Sequence, residues 1–353
     1  GTQKDKKENP MAIRILVPLD GSSLAATALA HALALTPPQE AHITLLRVLE
    51  RTIAQQSVDP LDWHLQRSEA QAYLEQTSEM LKEFLPTAPE IVLLEGRAAD
   101  RIVDYAQSER YDFLVFTSHG RGGLTGWNMS SVASKIAVRA ATSMLVVRSS
   151  PASVSQYEGT LQPVRYRRIL VPLDGSQRAE HVLPMAGALA ERHGAELVLL
   201  HVVTKPELIQ RMPLTEEEIE LVDKVVVRNE RQAIDYFDQL GSRLPVRPDT
   251  RVLIAEDVAG ALHQFANDNM IDLVVLSAHG HTGRQQWAVG SLVTSFFTHG
   301  ATSILIMQDM PRYGATPAKL ESDTHTWKEE GLRATLNANA LGEPGFNYDR
   351  AAN

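Results

Sequence analysis

The sequence predicts an α/β fold made of two tandem doubly wound (Rossmann-like) units, each with a five-stranded parallel sheet of order 3-2-1-4-5. Two observations lead to this prediction. First, the segment ILVPLDGS at 15–22 returns unchanged at 169–176, and DFLVFTSHG at 112–120 returns as DLVVLSAHG at 272–280. Second, short apolar runs alternate with longer helical patterns, which is typical of a parallel sheet covered by helices on both faces.

The spacing of the repeats sets the predicted domain boundaries. The first pair of segments lies 154 residues apart, whereas the ATS segments that begin at Ala141 and Ala301 lie 160 residues apart. The ten residues GTQKDKKENP ahead of Met11 are left outside the fold. We therefore predict a first domain, a linker, a second domain and a C-terminal tail, with the domains at 12–150 and 166–310 and the tail at 311–353.

Within each unit the patterns predict the individual elements. Apolar runs predict strands at 13–18, 43–48, 91–94, 112–117 and 144–148, and helical patterns predict helices at 22–35, 69–84, 99–107 and 130–140. In the second unit Thr215 and Glu218 have the spacing of a capping box, so a long helix is predicted from there to about Leu240. The last strands, at 144–148 and 304–307, would be exposed apolar edges that need covering or pairing.

Composition excludes several classes of protein. Hydrophobic residues make up 44% and charged residues 22%, so the chain is neither largely disordered nor fibrous. It has no cysteine, which excludes disulfides, iron–sulfur clusters, Cys-containing zinc sites and thiol nucleophiles. A formal charge of -9 argues against nucleic acid or an anionic membrane as the main partner. We find no signal peptide and no run of ~18 apolar residues, and we expect a cytoplasmic protein.

Loops rich in turn residues follow strands 1 and 4 of each unit. DGS at 20–22 and 174–176 follows strand 1, and HGRGG at 119–123 and HGHTG at 279–283 follow strand 4. In the predicted order these strands are neighbours, and the crevice between their carboxyl ends is the usual ligand site of such a sheet. In the second unit, glycines and hydroxyls next to a helix N-terminus indicate a phosphate site. These residues are Gly280, Gly283, Gly290, Ser291 and Thr294.

At these loops the sequence resembles the universal stress protein family in its tandem two-domain form, over roughly four fifths of the chain. ATP-binding members of that family carry Gly, two residues, Gly, nine residues, then Gly followed by Ser or Thr. Gly280, Gly290 and Ser291 match this motif, and Ser277 replaces the first Gly. The second unit therefore has a near-intact motif.

The first unit departs further from the motif. Gly120 matches, but Thr117 replaces the first Gly and Ser130 replaces the last, with Ser131 after it. A side chain at position 130 would crowd the phosphates. The resemblance therefore implies a degenerate loop and a weaker site in this unit.

The resemblance implies a regulator of the stress response that binds ATP or a related adenine nucleotide, mainly in the second unit, with a divalent cation such as Mg2+ or Mn2+. Asp174 would face the base and ribose, and Val202 would line the adenine pocket. The binding residues would be Pro172, Asp174, Val202, Gly280, His281, Gly283, Gly290, Ser291 and Thr294. The weaker second site would use Pro18, Asp20, Val48, Gly120, Gly123, Ser130 and Ser131. No catalytic residue is implied, and at most slow ATP hydrolysis is expected.

The resemblance also bears on assembly, because the last strand makes the dimer contact in that family. It implies that the two units pair with each other as an internal pseudo-dimer, with a homodimer of two chains as a further association. We expect neither nucleic acid nor a membrane as a partner.

Other interpretations of these residues stay open. Asp20 and Asp174 would also serve as caps of the following helices, and the glycines as turn residues. His119 and His279 recur at one position, which a metal site or a hydrogen bond to the backbone would explain. Ser118 beside His119 suggests a nucleophile and base, although adjacent residues at a strand end are expected to point to opposite faces. For the whole protein the alternative is a nucleotide-independent scaffold that recruits protein partners.

Overall fold

A computed structural model describes residues 12–50, 60–119, 130–148, 161–206, 215–280 and 289–309. Within these ranges ten strands form one continuous sheet that carries helices on both faces. The predicted α/β fold class is therefore confirmed. The linker residues 149–160 and the tail 311–353 lie outside the described residues.

The first half of the chain, residues 12–148, alternates strands and helices throughout. Its strands are β1 Ile13–Pro18, β2 Ala41–Leu49, β3 Glu90–Glu95, β4 Phe113–Thr117 and β5 Ser143–Val147. Its helices are α1 Ser23–Leu35, α2 Pro60–Leu81, α3 Ala98–Ser108 and α4 Ser131–Arg139.

The second half, residues 161–309, repeats this alternation. Its strands are β6 Arg168–Pro172, β7 Glu196–Val203, β8 Asp249–Ile254, β9 Leu273–Ser277 and β10 Ser303–Met307. Its helices are α5 Gln177–Glu180, α6 Leu183–His193, α7 Glu216–Gly241, α8 Val258–Asp268 and α9 Ser291–His299. The predicted capping box is present at the start of α7, where the side chains of Thr215 and Glu218 bond reciprocally to each other's backbone N–H.

The sheet has the order β3-β2-β1-β4-β5-β10-β9-β6-β7-β8. Strands within each half run parallel, so both halves read 3-2-1-4-5 in their own numbering. The two apolar end strands, β5 and β10, pair antiparallel, with Leu145 opposite Leu305. Each strand therefore covers the edge of the other. Because the pairing is antiparallel, the strands of the two halves point in opposite directions, and their carboxyl ends lie at opposite ends of the sheet.

Two apolar layers hold the helices on the sheet. One face packs against α1, α2, α6 and α7, and the other against α3, α4, α8 and α9. The central strands β4, β5 and β10 are buried along their whole length, which explains why they read as unbroken apolar runs. None of the helices that the structure describes is long and apolar enough to cross a membrane.

The start of α2 differs most from the sequence prediction. The apolar pattern predicts a helix from residue 69, whereas α2 begins at Pro60. Its first turns expose Leu61 and Leu65, and its buried positions begin only at Ala70. The periodicity therefore detects only the part that packs on the sheet. Proline is favoured at the first helical position because its missing N–H is not needed there.

Polar contacts across the β5–β10 ladder repeat with approximate two-fold symmetry. The backbone N–H of Arg148 donates to Ser303 Oγ at 3.0 Å, and the backbone N–H of Gln308 donates to Ser143 Oγ at 3.1 Å. The Gln308 side chain then donates from Nε2 to the Ala140 carbonyl, at the end of α4. Gln308 of the second half therefore binds the end of a helix of the first half, and Arg148 makes the reciprocal contact.

Arg148 makes the stronger of these two helix-end contacts. Its Nη2 donates to the carbonyls of Phe296 and Phe297 at 2.8 and 2.6 Å. A cation is favourable at a helix C-terminus, where carbonyls lack intrahelical partners. Burial lowers the pKa of Arg148 to about 10, so the guanidinium stays charged at neutral pH.

We expect Arg148→Leu to lower the free energy of unfolding by about 2 kcal/mol, because two hydrogen bonds from a charged donor are lost. Arg148→Gln, which copies Gln308, should lose less. The control is Arg139→Leu, which removes an exposed ion pair with Asp100 and should cost only about 0.5 kcal/mol. Urea unfolding of the three variants measures this. Equal losses for Arg148→Leu and Arg139→Leu would contradict the role given to Arg148.

A second contact between the halves lies on the opposite face of the sheet. His31 Nδ1 of α1 lies 2.8 Å from the hydroxyl of Tyr166, and His193 Nε2 of α6 lies 3.0 Å from the Ala34 carbonyl. Burial lowers the pKa of His31 to about 4. The imidazole of His31 is therefore neutral in the folded protein at neutral pH.

This lowered pKa predicts a pH dependence of stability. The unfolded chain takes up a proton at His31 near pH 6.5, whereas the folded chain resists it until about pH 4, so stability should fall as the pH drops through this window. His31→Asn should reduce the loss of unfolding free energy across this pH window by about 3 kcal/mol. Tyr166→Phe should keep the slope, because burial causes the shift. Chemical unfolding between pH 4 and 7.5 tests this, and equal slopes for wild type and His31→Asn would refute it.

Candidate functional site

A cavity of about 820 Å³ opens at the carboxyl ends of the central strands of the second half. Val138, at the end of α4, contributes to it from the first half. The rest of the lining combines an apolar wall with a few polar groups. The wall includes Pro172, Leu200, Val202, Leu262, Leu276 and Val293, and the polar groups include Asp174, His201, Ser277, His279, Ser291 and Thr294.

Asp174 follows β6 and organises the loop on which it stands. Its Oδ1 accepts hydrogen bonds from the backbone N–H and the hydroxyl of Ser176, at 3.0 and 2.6 Å. Ser176 Oγ in turn accepts from the N–H of Ala179. The cap of α5 is therefore Ser176, and Asp174 orients it. Gly175 between them has a φ of +81°, a left-handed conformation that favours glycine.

Gly280 brings the strand 4 loop against Asp174. A Cβ added at Gly280 would lie 2.6 Å from Asp174 Oδ2, which is closer than van der Waals contact. The absence of a side chain at position 280 therefore lets the carboxylate reach the backbone of the neighbouring loop. The two loops that the sequence places on one crevice are in contact at this point.

The N-terminus of α9 forms the other end of the cavity. Gly290 precedes the helix, and its N–H donates to the Ala278 carbonyl at 2.7 Å. Gly290 has no side chain to cap this helix start, so among the described residues the first N–H groups of α9, which line the cavity, have no capping partner. Ser291 lines the cavity at the first helical position. The hydroxyl of Thr294 donates to the Gly290 carbonyl at 3.0 Å and must rotate before it can donate to a ligand.

Ser277, which replaces the first Gly of the family motif, ends β9. Its Oγ is buried and has no hydrogen-bond partner among the described residues. In the first half the equivalent Thr117 donates to the His119 carbonyl. The two replacements of the same motif position therefore have different surroundings.

A buried hydrogen bond between two side chains, which the sequence patterns do not reveal, supports the loop beside Gly280. His279 Nδ1 lies 2.6 Å from Asp309 Oδ1, and both side chains are almost fully buried. Arg178 Nε of α5 lies 3.7 Å from the other oxygen of Asp309. Burial lowers the pKa of His181, which also lies near Asp309. Asp309 thus connects the end of β10 to both loops of the cavity.

The first half has a corresponding cavity of about 620 Å³. Of the residues expected there, Pro18, Asp20, Val48, Ser130 and Ser131 line it. Asp20 accepts from the backbone and hydroxyl of Ser22, as Asp174 does from Ser176. Charged residues that the sequence did not single out stand at its rim, namely Arg47, Glu50 and Glu69.

The start of α4 differs from that of α9 at one position. Ser130 Oγ accepts from the Ala133 N–H at 3.1 Å and caps the helix. Its backbone otherwise matches that of Gly290, since the Ser130 N–H donates to the Ser118 carbonyl at 2.9 Å. The first half therefore has a side-chain oxygen on an N–H group that the second half leaves open.

The expectation that Ser118 and His119 point apart is wrong. Ser118 Oγ lies 2.9 Å from His119 Nδ1, and both residues are buried. The alternation of side chains stops at Thr117, where β4 ends, so neighbouring side chains can meet. Because Ser118 is fully buried, this contact does not expose a nucleophile. The hydrogen-bond partner of His119 Nδ1 is therefore a side chain and not the backbone group that was one of the alternatives.

Four of the predicted site residues cannot be placed. Gly120, Gly123, His281 and Gly283 lie outside the described residues. For the metal interpretation, the part of the chain that the structure describes contains no group of three or more His, Cys, Asp or Glu side chains arranged to hold an ion.

Comparison with known proteins explains the repeated architecture. The family model described as the universal stress protein family matches this chain twice, at residues 11–148 and 165–308. The chain belongs to the universal stress protein family. The resemblance noted in the loops after strands 1 and 4 is therefore confirmed at the level of the family.

Universal stress proteins of Mycobacterium tuberculosis and Mycobacterium bovis are each 26% identical to this one over 200 residues. The alignment covers 55% of this chain, and the chain spans about 60% of the length of these relatives. A universal stress protein of Methanocaldococcus jannaschii is 26% identical over 139 residues, covering 38% of this chain and 81% of its own length.

The crystal structure of a universal stress protein from Archaeoglobus fulgidus is similar to this protein over most of both chains. The TM-score is 0.57 at 15% identity, and the match covers 83% of this chain and 97% of that chain. Such a match shows that the fold is shared.

The close approach of Gly280 and Asp174 can be tested by stability alone. We expect Gly280→Ala to lower the free energy of unfolding by about 1–2 kcal/mol, because the new Cβ displaces the carboxylate. In a double-mutant cycle with Asp174→Ala, the two changes should couple by about 1 kcal/mol, since the second change removes the atom that is displaced. Strictly additive losses would show that the two residues do not meet.

Proposed function

We propose that this universal stress protein binds ATP or a related adenine nucleotide in the second-half cavity, as a regulator whose interactions change with occupancy. One observation carries the proposal: the cavity joins an apolar slot to the uncapped start of α9 at Gly290 and Ser291. An adenine nucleotide needs both features, because its base gains from apolar contact and its phosphates from open N–H groups.

The proposed placement follows the chemistry of the lining. Pro172 and Val202 would contact the base, and Asp174 would bond to the ribose. Gly280 and Gly290 would let the phosphates approach the backbone, with Ser291 and Thr294 as hydroxyl donors. His281 and Gly283 are also proposed as nucleotide-binding residues, and for these two the family motif is the basis of the proposal.

Binding, and at most slow hydrolysis, is the chemistry that this lining supports. Its described residues include neither a lysine nor an arginine that could stabilise a developing phosphate charge. His201 Nδ1 is held by the Leu173 carbonyl at 2.8 Å. A divalent cation such as Mg2+ or Mn2+ would bind chiefly through the phosphates, as is common for nucleotide sites.

We also propose that the two halves act as an internal pseudo-dimer through β5 and β10. The ladder and the Arg148 and Gln308 contacts support this, since each half holds a helix end of the other. The arrangement would keep one cavity in each half.

The proposal predicts opposite effects on stability and affinity at position 290. Gly290→Ser copies Ser130, so it should cap α9 and raise the free energy of unfolding by a few tenths of a kcal/mol, about what separates Ser from Gly at such a position. The same hydroxyl should take an N–H from the phosphates and weaken ATP binding roughly tenfold, equivalent to one hydrogen bond. Titration with a fluorescent ATP analogue and urea unfolding measure the two effects.

Two further variants complete this test. Gly290→Val should abolish binding by placing a branched side chain against the phosphates, whereas Thr298→Val, on the same helix but away from the cavity lining, should leave it unchanged. Unaltered affinity in Gly290→Val would sink the assignment of the site. A wild-type protein that purifies without nucleotide and ignores added ATP would favour the alternative function, a scaffold that recruits protein partners.

A further inference from the structure

His119, which lines the first-half cavity, has a buried ring nitrogen without a hydrogen-bond partner in the part of the chain that the structure describes. His119 lines the cavity and is only 7% exposed. Its Nδ1 is engaged by Ser118 Oγ, but its Nε2 has no hydrogen-bond partner among the described residues. A buried polar atom in this state is costly, and a ligand with a hydrogen-bonding group would remove that cost.

The two helix starts at this cavity are already occupied by the protein's own oxygens. Ser130 Oγ accepts from the Ala133 N–H of α4 at 3.1 Å. Glu50 Oε1 accepts from the Ala98 N–H of α3 at 2.6 Å. Both helix starts line the cavity. The N–H groups that would attract a phosphate are therefore partly satisfied, and one of them by a carboxylate.

The charge of the lining also disfavours a phosphate in this cavity. Among the described lining residues of the first-half cavity, Asp20, Glu50 and Glu69 supply three carboxylates and Arg47 supplies one positive charge, above the ring of Tyr73. In the second-half cavity Asp174 is the one carboxylate among the described lining residues. A surplus of negative charge repels a triphosphate and leaves an uncharged ligand unaffected.

The residues that would contact a base in the second-half cavity nevertheless have equivalents in the first-half cavity. Pro18 and Val48 stand where the second half has Pro172 and Val202, and both pairs line their cavities. We infer that the first-half cavity binds an uncharged nucleoside, with His119 Nε2 bonded to it, and discriminates against phosphorylated forms. The choice of a nucleoside rests on the function proposed for the second half, whereas the discrimination against anions rests on this cavity alone.

The full-length protein saturated with ATP should still bind one adenosine per chain in a calorimetric titration. His119→Ala should weaken that adenosine binding about tenfold, because one hydrogen bond is lost, and should leave ATP affinity unchanged. Circular dichroism and thermal unfolding verify that the variant is folded. Failure of ATP-saturated protein to bind adenosine, or full adenosine affinity in folded His119→Ala, would overturn the inference.

A second experiment tests the discrimination against phosphates without changing His119. The combined change Ser130→Gly and Glu50→Gln opens both helix starts and removes one charge, so the ATP stoichiometry should rise from one to two per chain. Wild-type protein that already binds two ATP with similar affinity would overturn the inference, and so would a variant that still binds one.

The same titrations separate this inference from the proposed function. Adenosine is added to Gly290→Val, in which only the phosphate end of the second-half cavity is blocked, so the first-half site is identified as the adenosine site that His119→Ala weakens. One adenosine site that His119→Ala weakens would support the inference even if no ATP binds to wild type. ATP binding that Gly290→Val abolishes, with no adenosine site, would leave the proposed function standing and refute the inference.

Discussion

The antiparallel pairing of β5 with β10 is the contact on which the rest of the molecule depends. Each of these strands is an apolar sheet edge, and an unpaired edge of this kind is prone to associate with other chains. Their pairing buries both edges and turns two parallel sheets into one. It also reverses the second half relative to the first. For that reason Val138, at the far end of α4, reaches the cavity of the second half.

Most of the fold can be predicted from the sequence, because strands buried on both faces must be apolar throughout and the repeat shows them twice. The crevice can be predicted as well, since Asp174, Gly280 and Gly290 mark places where the chain turns or two backbones approach. The polar partners cannot. Asp309 lies 30 residues from His279, and Arg148 lies 148 residues from Phe296. No local pattern encodes such pairs, which form only when the sheet brings them together.

The errors have similar physical origins. Periodicity detects a helix only where it packs, so the exposed start of α2 at Pro60 is missed. The rule of alternating side chains holds only inside a strand, so it fails for Ser118 and His119 just beyond β4. Both failures occur at the ends of elements, where burial and regular backbone geometry no longer coincide. Function also concentrates at such ends, so sequence rules are weakest where the site is built.

The difference between Ser130 and Gly290 has a consequence for stoichiometry. A homodimer of single-domain chains would carry two identical helix starts, and a mixture of chains could form dimers of every composition. Here both versions are encoded in one polypeptide and joined through one ladder. Every molecule therefore carries one helix start capped by a serine and one that begins with a glycine, in a ratio that does not vary with expression level. Covalent fusion thus fixes this structural difference between the two cavities in every molecule.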